Sequence, residues 1–300
     1  MIRRPQKPPS KSIENHELKS LRFPLYGSPK LDGYRCICQD GAFTSSMKPI
    51  TNEYIQEILS SSAYNGLDGE LIVGKPNTLE TFNNTTGPVR KYSGQPKFTY
   101  YVFDLHNVMY PYEERYRRLM ESYSNLPHVH IVKQTPMLAV NHVIEYELKC
   151  VASGYEGAIV RSPYGLYKDG RCTLREGNIF KRKPVEDDEA TIIGFEEQMQ
   201  NLNKAKLSET GNMVRSSHKD NKVGKGTLGK FIVTSPLWSE PFAIGTGEGL
   251  TDTLRQEIWD NQEDYIGRIF TYKFQLYGSI NAPRQPIFKG FRDPADTTEY

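Results

Sequence analysis

Near residue 185 the pattern of the sequence changes, and this change constrains the fold more than any other feature. Before it, strand-like runs alternate with helical stretches at 51–61, 112–122 and 141–153. After it, short strand-like runs are separated by Gly-rich turns, with one helical stretch at 251–264. A chain of 300 residues has room for about two domains, and several short strands with one helix are typical of a small barrel. The sequence therefore predicts an α+β domain over 21–185 and a small β-barrel over 186–300.

The first twenty residues differ from both domains. The stretch "MIRRPQKPPSK" carries four basic side chains and no acid, and it is rich in proline. We predict a flexible basic arm over 1–20. Residues 200–230 also carry seven Lys or Arg against two acids, although the net charge is only +2. Such segments favour a polyanionic partner, with solvated loops as the alternative, and we expect a long polar loop over 200–224.

Composition excludes several classes of protein. With 37% hydrophobic and 25% charged residues, the chain can bury real cores. No apolar stretch approaches the roughly 20 residues that span a membrane, and the N-terminus has no apolar region typical of a secretion signal. None of the four cysteines forms a C-x-x-C pair, so we expect ordinary thiols rather than a structural zinc site. The sequence predicts a cytoplasmic protein.

Five short segments of the first domain place charged residues beside apolar ones: "KLDGYR" (30–35), "DGEL" (68–71), "VFDL" (102–105), "EGAIVR" (156–161) and "FKRKP" (180–184). A buried charge is costly unless it is paired. One such residue is ordinary, but five such segments in one domain indicate a lined cavity. Taken alone, Asp32-Gly33 also suits the turn of a β-hairpin.

The order and spacing of these segments resemble the covalent nucleotidyltransferases, which include ATP-dependent DNA ligases, RNA ligases and mRNA-capping enzymes. The likeness extends over about residues 22–293 and points to the small two-domain DNA ligases of bacteriophages and viruses. It implies an adenylation domain with antiparallel sheets and flanking helices, followed by an OB-fold barrel. The ending "APRQPIFKGFRDP" and the basic segment favour a DNA ligase. An RNA ligase or capping guanylyltransferase is the first alternative, and a non-catalytic nucleic-acid-binding module the second.

The resemblance implies that nicks in duplex DNA are sealed by three transfers. AMP moves from ATP to Lys30, then to the 5′-phosphate at the nick, and the 3′-hydroxyl displaces it. The nucleophile must be a neutral amine, although a free lysine has a pKa of ~10.4; nearby cations, a metal and desolvation can lower that value. Lys181 and Lys183 alternate with Arg182 along a strand and share one face. In the family this pair contacts the α-phosphate, and a solvated strand face is the alternative.

The resemblance assigns roles to further residues. Arg35 and Glu70 correspond to residues that contact the ribose and fix the lysine strand, unless "LDGEL" is a hairpin with an exposed Glu70. Phe103 corresponds to the aromatic that stacks on adenine, with a core phenylalanine as a compatible alternative. Glu156, and after it Glu70, is the candidate ligand of Mg²⁺ or another divalent metal. The nucleotide-binding set is Pro29, Leu31, Arg35, Glu70, Phe103, Glu156, Lys181 and Lys183; the supporting set is Asp32, Gly33, Asp104, Arg115, Arg161, Arg284 and Arg292.

Three positions depart from the family pattern. Ser45 stands where an arginine is common, so a cationic contact to the phosphate or the nick is missing or comes from elsewhere. Arg161 stands where a lysine is usual, which keeps the charge but changes its geometry. The usual closing Asp-Lys pair is reduced to Asp293, followed by Pro294.

The expected partner is nicked duplex DNA, with no obligate protein partner, and the expected protein is a monomer acting in replication, repair and recombination. The OB-domain is expected to swing on a linker near 185, so that Arg284 and Arg292 reach the pyrophosphate of ATP. A surface charge is the alternative for these two and for Arg115. The predicted DNA-binding side chains are Lys204, Lys206, Arg215, Lys219, Lys222 and Lys225.

Overall fold

The computed structural model describes residues 4–208, 211–247 and 249–292. The chain divides into two compact units, residues 1–183 and 184–300, within two residues of the boundary expected from the sequence. Residues 1–3 of the predicted arm, and Asp293 with Pro294, lie outside the described residues. Within the described part, no helix is long and apolar enough to cross a membrane.

In its described residues the first unit has two sheets and five α-helices. The strands are β1 (Leu25–Pro29), β2 (Tyr34–Cys38), β3 (Ala42–Thr44), β4 (Leu67–Val73), β5 (Phe98–Leu105), β6 (Val129–Ile131), β7 (Thr135–Met137), β8 (Ala158–Arg161) and β9 (Ile179–Arg182). The helices are α1 (Asn15–Leu18), α2 (Glu53–Leu59), α3 (Thr81–Arg90), α4 (Tyr112–Ser122) and α5 (Val140–Ala152). The strand orders are β7-β1-β8-β9 and β3-β2-β4-β5-β6, and the pairs are antiparallel apart from β5–β6.

Helix α4 lies where the sequence pattern places it. Its buried side chains, Tyr112, Arg115 and Leu119, are three and four residues apart and share one face. Helix α3 differs from the sequence prediction, which has no helix there. Its sequence "TFNNTTGPVR" has few strong helix formers and contains Pro88. Burial of one face, including Thr85, outweighs this weak local preference.

The segment that carries Lys30 connects the two sheets. Because β1 and β2 belong to different sheets, Asp32-Gly33 is not the turn of a β-hairpin, and that alternative is wrong. A side chain at Gly33 would bring its Cβ to 2.6 Å from the carbonyl oxygen of Leu71, so the close approach of β4 requires glycine. Strand β4 lies between β2 and β5, so an exposed hairpin around Glu70 is wrong as well.

The described part of the predicted flexible arm is instead bound to the first unit. Gln6 and Ile13 are buried. The Lys7 backbone N–H donates to the Gly170 carbonyl at 2.8 Å. Backbone hydrogen bonds of this kind can hold an extended segment whose side chains show no apolar pattern. Because the arm shows no such pattern, its composition alone predicts a mobile segment. We call residues 5–9 the N-terminal strap.

The second unit is a small barrel, as predicted. Its described elements are β10 (Glu186–Asn201), β11 (Ala205–Leu207), β12 (Met213–Arg215), β13 (Lys222–Thr234), β14 (Phe242–Ile244), α6 (Asp252–Asp260), α7 (Gln262–Tyr265), β15 (Ile269–Gln275) and β16 (Arg284–Phe291). The main sheet has the order β14-β13-β10-β15-β16. A bridge between Gly247 and Phe288 links the segment after β14 to the opposite edge strand. Phe231 packs against Phe270 and Phe288 in the core, with ring centroids 5.1 and 5.8 Å apart.

Two strand pairs form a β-ribbon within the described part of 200–224, so the predicted polar loop is wrong. Strand β10 continues to Asn201, which pairs with Lys222 at the start of β13, and β11 pairs with β12 beyond them. Leu207 and Met213 are 71% and 66% exposed. Asn203 is buried, and the other described residues of the ribbon are exposed or partly exposed. The ribbon therefore buries no apolar face and lacks the apolar–polar alternation that marks a strand in sequence. We call residues 199–208 and 211–225 the basic ribbon.

Candidate active site

Lys30 directly follows β1, an interior strand of the four-stranded sheet. Its backbone N–H donates to the carbonyl of Gly157, the residue before β8, at 2.8 Å. Its Nζ contacts a carboxylate oxygen of Glu156. The side chain of Lys30 is 22% exposed and that of Glu156 is 6% exposed, so the amine lies at the surface of a cavity above a buried acid. The pairing of β1 with β8 sets this contact.

Strand β9 and the residue directly after it add two lysines on the same side. Lys183 Nζ lies 3.6 Å from Glu156 Oε1. Burial, and then the cations Lys183 and Lys30, lower the pKa of Lys181 to about 8. Arg182 turns to the other face, where it pairs with Glu147. The structure therefore brings together Lys30, Lys181 and Lys183 as the alternation predicts, and a fully solvated strand face is wrong.

Arg35 is held by a residue that the sequence argument did not single out. Its guanidinium donates to both carboxylate oxygens of Asp68, at 2.7 and 2.8 Å. Asp68 also accepts from the Tyr167 hydroxyl at 2.7 Å. Asp68 and Glu70 are two residues apart on β4 and share a face, so the pattern "LDGEL" held the signal that would have identified Asp68.

Glu70 lies opposite Arg35 in the β2–β4 register and lines the same cavity as Lys30. Burial raises the pKa of Glu70 to about 7; the cations Arg35 and Lys30 oppose this shift, and the carboxylates of Asp32 and Glu156 reinforce it. At neutral pH this carboxyl is therefore poised between its two protonation states. It can accept hydrogen bonds from hydroxyl groups once it is ionised.

Phe103 combines the two roles that the sequence left open. It packs with Leu31, Ile72 and Val132 in a small apolar cluster. It also faces a cavity of about 110 Å³, and the Arg35 guanidinium lies 4.6 Å from its ring centroid. The cavity is lined by Pro8, Ser28, Pro29, Lys30, Leu31, Arg35, Glu70, Phe103, Ile159, Arg161 and Ile179.

Behind this cavity lies a buried ion network. Asp104 accepts from Arg115 Nε and from Arg161 Nη1, each at 2.6 Å. Burial alone would raise the pKa of Asp104, but the two guanidiniums outweigh it and hold that pKa below its ordinary value. Arg115 is 1% exposed, so the surface-charge alternative is wrong and this arginine is structural. Arg161 makes this pairing through Nη1 alone.

The residues present fit a nucleotide. The cavity combines an aromatic ring, a carboxyl and a lysine amine, and the buried Arg161 Nε has no hydrogen-bond partner among the described residues. For a metal, the described part of the chain has no group of three or more His, Cys, Asp or Glu side chains that could hold an ion. Mg²⁺ binds through one or two carboxylates plus substrate phosphates. Glu156 and Glu70 therefore fit an ion that arrives with the nucleotide rather than a preformed metal site.

The remaining predicted residues belong to the second unit. The Arg292 side chain pairs with Glu189, and Arg284 begins β16. Their contact with ATP stays a prediction. The six predicted DNA-binding side chains all lie on the basic ribbon, five exposed and Lys222 half-buried.

Family models match both units. The model described as "ATP dependent DNA ligase domain" matches residues 9–183, and the model described as "DNA ligase OB-like domain" matches residues 221–292. A DNA ligase of African swine fever virus is 24% identical over 240 residues, which are 78% of this chain and 52% of that protein. This chain thus spans about half the length of that relative.

Solved structures extend the comparison to the whole chain. The Chlorella virus DNA ligase-adenylate is 28% identical, with 99% of this chain and 100% of that chain covered and a TM-score of 0.54. A Lig E DNA ligase gives a TM-score of 0.71 with 97% of this chain and 100% of that chain covered, at 20% identity. The second likeness shows the fold alone.

Proposed function

This chain belongs to the ATP-dependent DNA ligase family, and from that premise we propose that it seals 5′-phosphate/3′-hydroxyl nicks in duplex DNA with ATP. The observation that carries the proposal is the contact between Lys30 and the buried Glu156, beside Lys181 on β9 and Lys183 directly after it. A non-catalytic binding module needs no such amine–carboxylate pair at the surface of a cavity.

In the first transfer, the lone pair of Lys30 Nζ attacks the α-phosphorus of ATP and the bond to the pyrophosphate oxygen breaks. The amine must lose a proton in this step. Glu156 contacts Nζ and is the group placed to accept it. The product is lysyl-AMP, which then transfers AMP to the 5′-phosphate before the 3′-hydroxyl displaces it.

The other side chains bind and orient the nucleotide. Lys181 and Lys183 supply positive charge beside Lys30, where negative charge builds up on the α-phosphate. Phe103 offers its ring to the adenine, and Glu70 offers its carboxylate to the ribose hydroxyls. A divalent metal held by Glu156 and Glu70 would neutralise phosphate charge.

The test is ATP- and Mg²⁺-dependent joining of a nicked DNA duplex, run beside the same nick in duplex RNA and beside GTP in place of ATP. We expect joining with DNA and ATP. Joining of the RNA substrate alone would instead indicate an RNA ligase. Labelling of the protein by GTP but not by ATP would indicate a capping guanylyltransferase.

Glu70→Gln should flatten the pH dependence of stability. Its pKa rises from the ordinary 4.5 to about 7 on folding, so the native state binds more protons than the unfolded chain between these values. The contribution of Glu70 to the free energy of unfolding is therefore fully present at low pH and is lost as the pH rises through 7. One pKa unit is about 1.4 kcal/mol, so the loss is about 3 kcal/mol. Thermal unfolding between pH 5 and 8 measures it.

The matched control for this prediction is Glu57→Gln, which changes an exposed carboxyl on α2. It should follow the wild-type pH profile. Equal profiles for Glu70→Gln and the wild type would contradict a buried carboxyl that titrates near neutrality.

We propose that the basic ribbon binds the DNA backbone, because its lysines are exposed and phosphate contacts depend on such cations. Replacing both Lys204 and Lys206 with alanine should weaken binding of a nicked duplex and reduce the salt slope of log K by about 2, since each phosphate contact contributes about 0.9. Fluorescence anisotropy across a salt series measures it. Replacing Lys97 and Lys149, two exposed lysines of the first unit, removes the same charge, and an equal loss there would refute the assignment.

A further inference from the structure

The N-terminal strap brings Lys7 to the mouth of the nucleotide cavity. The Gln6 carbonyl accepts a hydrogen bond from Arg35 Nη2 at 3.1 Å, and Pro8 lines the cavity itself. Lys7 lies between them. The residues matched by the ligase-domain model begin at residue 9, so Lys7 lies before the matched segment.

Backbone contacts on both sides fix the position of Lys7. Its N–H donates to Gly170, and its carbonyl accepts from the Cys172 N–H, each at 2.8 Å. The Pro8 carbonyl accepts from Arg171 Nη1 at 2.9 Å. A side chain on such an anchored backbone is positioned rather than free to move with a loose arm.

The Lys7 ammonium reaches the turn that lacks the usual arginine. Its Nζ donates to the backbone carbonyl of Ser45 at 3.0 Å. The turn itself is held by a hydrogen bond from the Thr44 N–H to the Lys48 carbonyl at 2.8 Å. An ammonium has three donors, and among the described residues Ser45 accepts from one of them. The strap therefore places a cation beside the position where Ser45 supplies none.

The charges that act on Lys7 are of one sign. Burial, and then the guanidiniums of Arg35 and Arg171, lower its pKa. No acid among the described residues forms an ion pair with it. The Arg35 guanidinium has its own partner in Asp68, but Lys7 has none of this kind in the described part of the chain, and a bound anion would relieve the repulsion between Lys7 and the two guanidiniums.

We propose that Lys7 binds a phosphate group and supplies the cationic contact that Ser45 lacks; this inference rests on the proposed nick-sealing function. The phosphate belongs either to the backbone of nicked DNA or to the triphosphate of ATP. Both have the same chemistry at an ammonium, and the reaction steps separate them.

The test compares Lys7→Met, which keeps the aliphatic stem, with Lys19→Met, an exposed lysine farther along the same N-terminal segment. Two quantities are measured: the affinity of the adenylated protein for a nicked duplex across a salt series, and the single-turnover rate of lysyl-AMP formation. We expect Lys7→Met to lose on the order of tenfold in one of them, with Lys19→Met unchanged. A DNA phosphate would also reduce the salt slope by about 1.

If Lys7→Met weakens DNA binding only, the phosphate belongs to the nicked DNA. If it slows lysyl-AMP formation only, the phosphate belongs to ATP. If it does both, Lys7 binds a phosphate in each of the two steps. Wild-type behaviour in both overturns the inference. Lys7→Arg is the control for misfolding, because it keeps the positive charge. This variant should retain most of the DNA affinity or of the lysyl-AMP formation rate that Lys7→Met loses. An equal loss in both variants would show that the charge of Lys7 is not the cause. Adding Ser45→Arg to Lys7→Met should restore part of the loss. A wild-type protein that seals no nick would instead refute the proposed function.

Discussion

Lys30→Ala should abolish lysyl-AMP formation and ATP-dependent nick sealing, with a loss of more than about 10³-fold. The reason is chemical: the variant has no amine to attack the α-phosphate, and the neighbouring Glu156 cannot form the same product. Incubation with ATP labelled in the α-phosphate, followed by denaturing electrophoresis, detects the covalent adenylate directly. Sealing of a nicked duplex measures the composite reaction.

Two controls make this result specific. Lys19→Ala, at an exposed lysine, should label and seal like the wild type. Lys30→Ala should still join a nick whose 5′-phosphate already carries AMP, because that last transfer needs no lysine nucleophile. A labelled adduct on Lys30→Ala would show that another residue carries AMP.

Asp104→Ala should destabilise the first unit by about 3–5 kcal/mol, the usual cost of leaving buried charges without their partner. Asp104 is fully buried and accepts hydrogen bonds from both Arg115 and Arg161. Its loss leaves two guanidiniums in an apolar environment. Denaturant unfolding followed by far-ultraviolet circular dichroism measures the change, because most of the helical residues lie in the first unit. Weaker ATP binding should accompany it because Arg161 lines the cavity.

A surface ion pair on the same helix provides the comparison. Glu121→Ala removes one of the two acidic partners of Arg117 on α4, and the side chains of Arg117 and Glu121 are both more than half exposed. Exposed pairs contribute about 0–1 kcal/mol, so this variant should unfold almost like the wild type. Equal costs for Asp104→Ala and Glu121→Ala would contradict the role of the buried network.

Much of the candidate site followed from local patterns. The period of two along a strand places Lys181 and Lys183 on one face and Arg182 on the other, and the structure has this arrangement. Helix α4 could be placed in the same way, because its buried residues recur with the period of a helix. These features depend on neighbours within a few residues, and a sequence displays such neighbours directly.

Local patterns failed where the partner is far away in the chain. The strap is held by contacts such as that between Gln6 and Tyr167, 161 residues apart, and no periodicity reports such a contact. The basic ribbon does not show in the sequence pattern for a different reason. Its strands pair through the backbone while both faces meet solvent, so its side chains carry no sign of the pairing.

The sequence by itself determined the two-domain division, the family and the order of the motif residues, because these depend on residue type and spacing. The tertiary structure alone decided their electrostatic state. Glu70 titrates near 7 because burial outweighs its cationic neighbours, and Asp104 remains ionised because two distant arginines converge on it. Desolvation and charge pairing depend on what folding brings together in space, and so they become visible only in the folded chain.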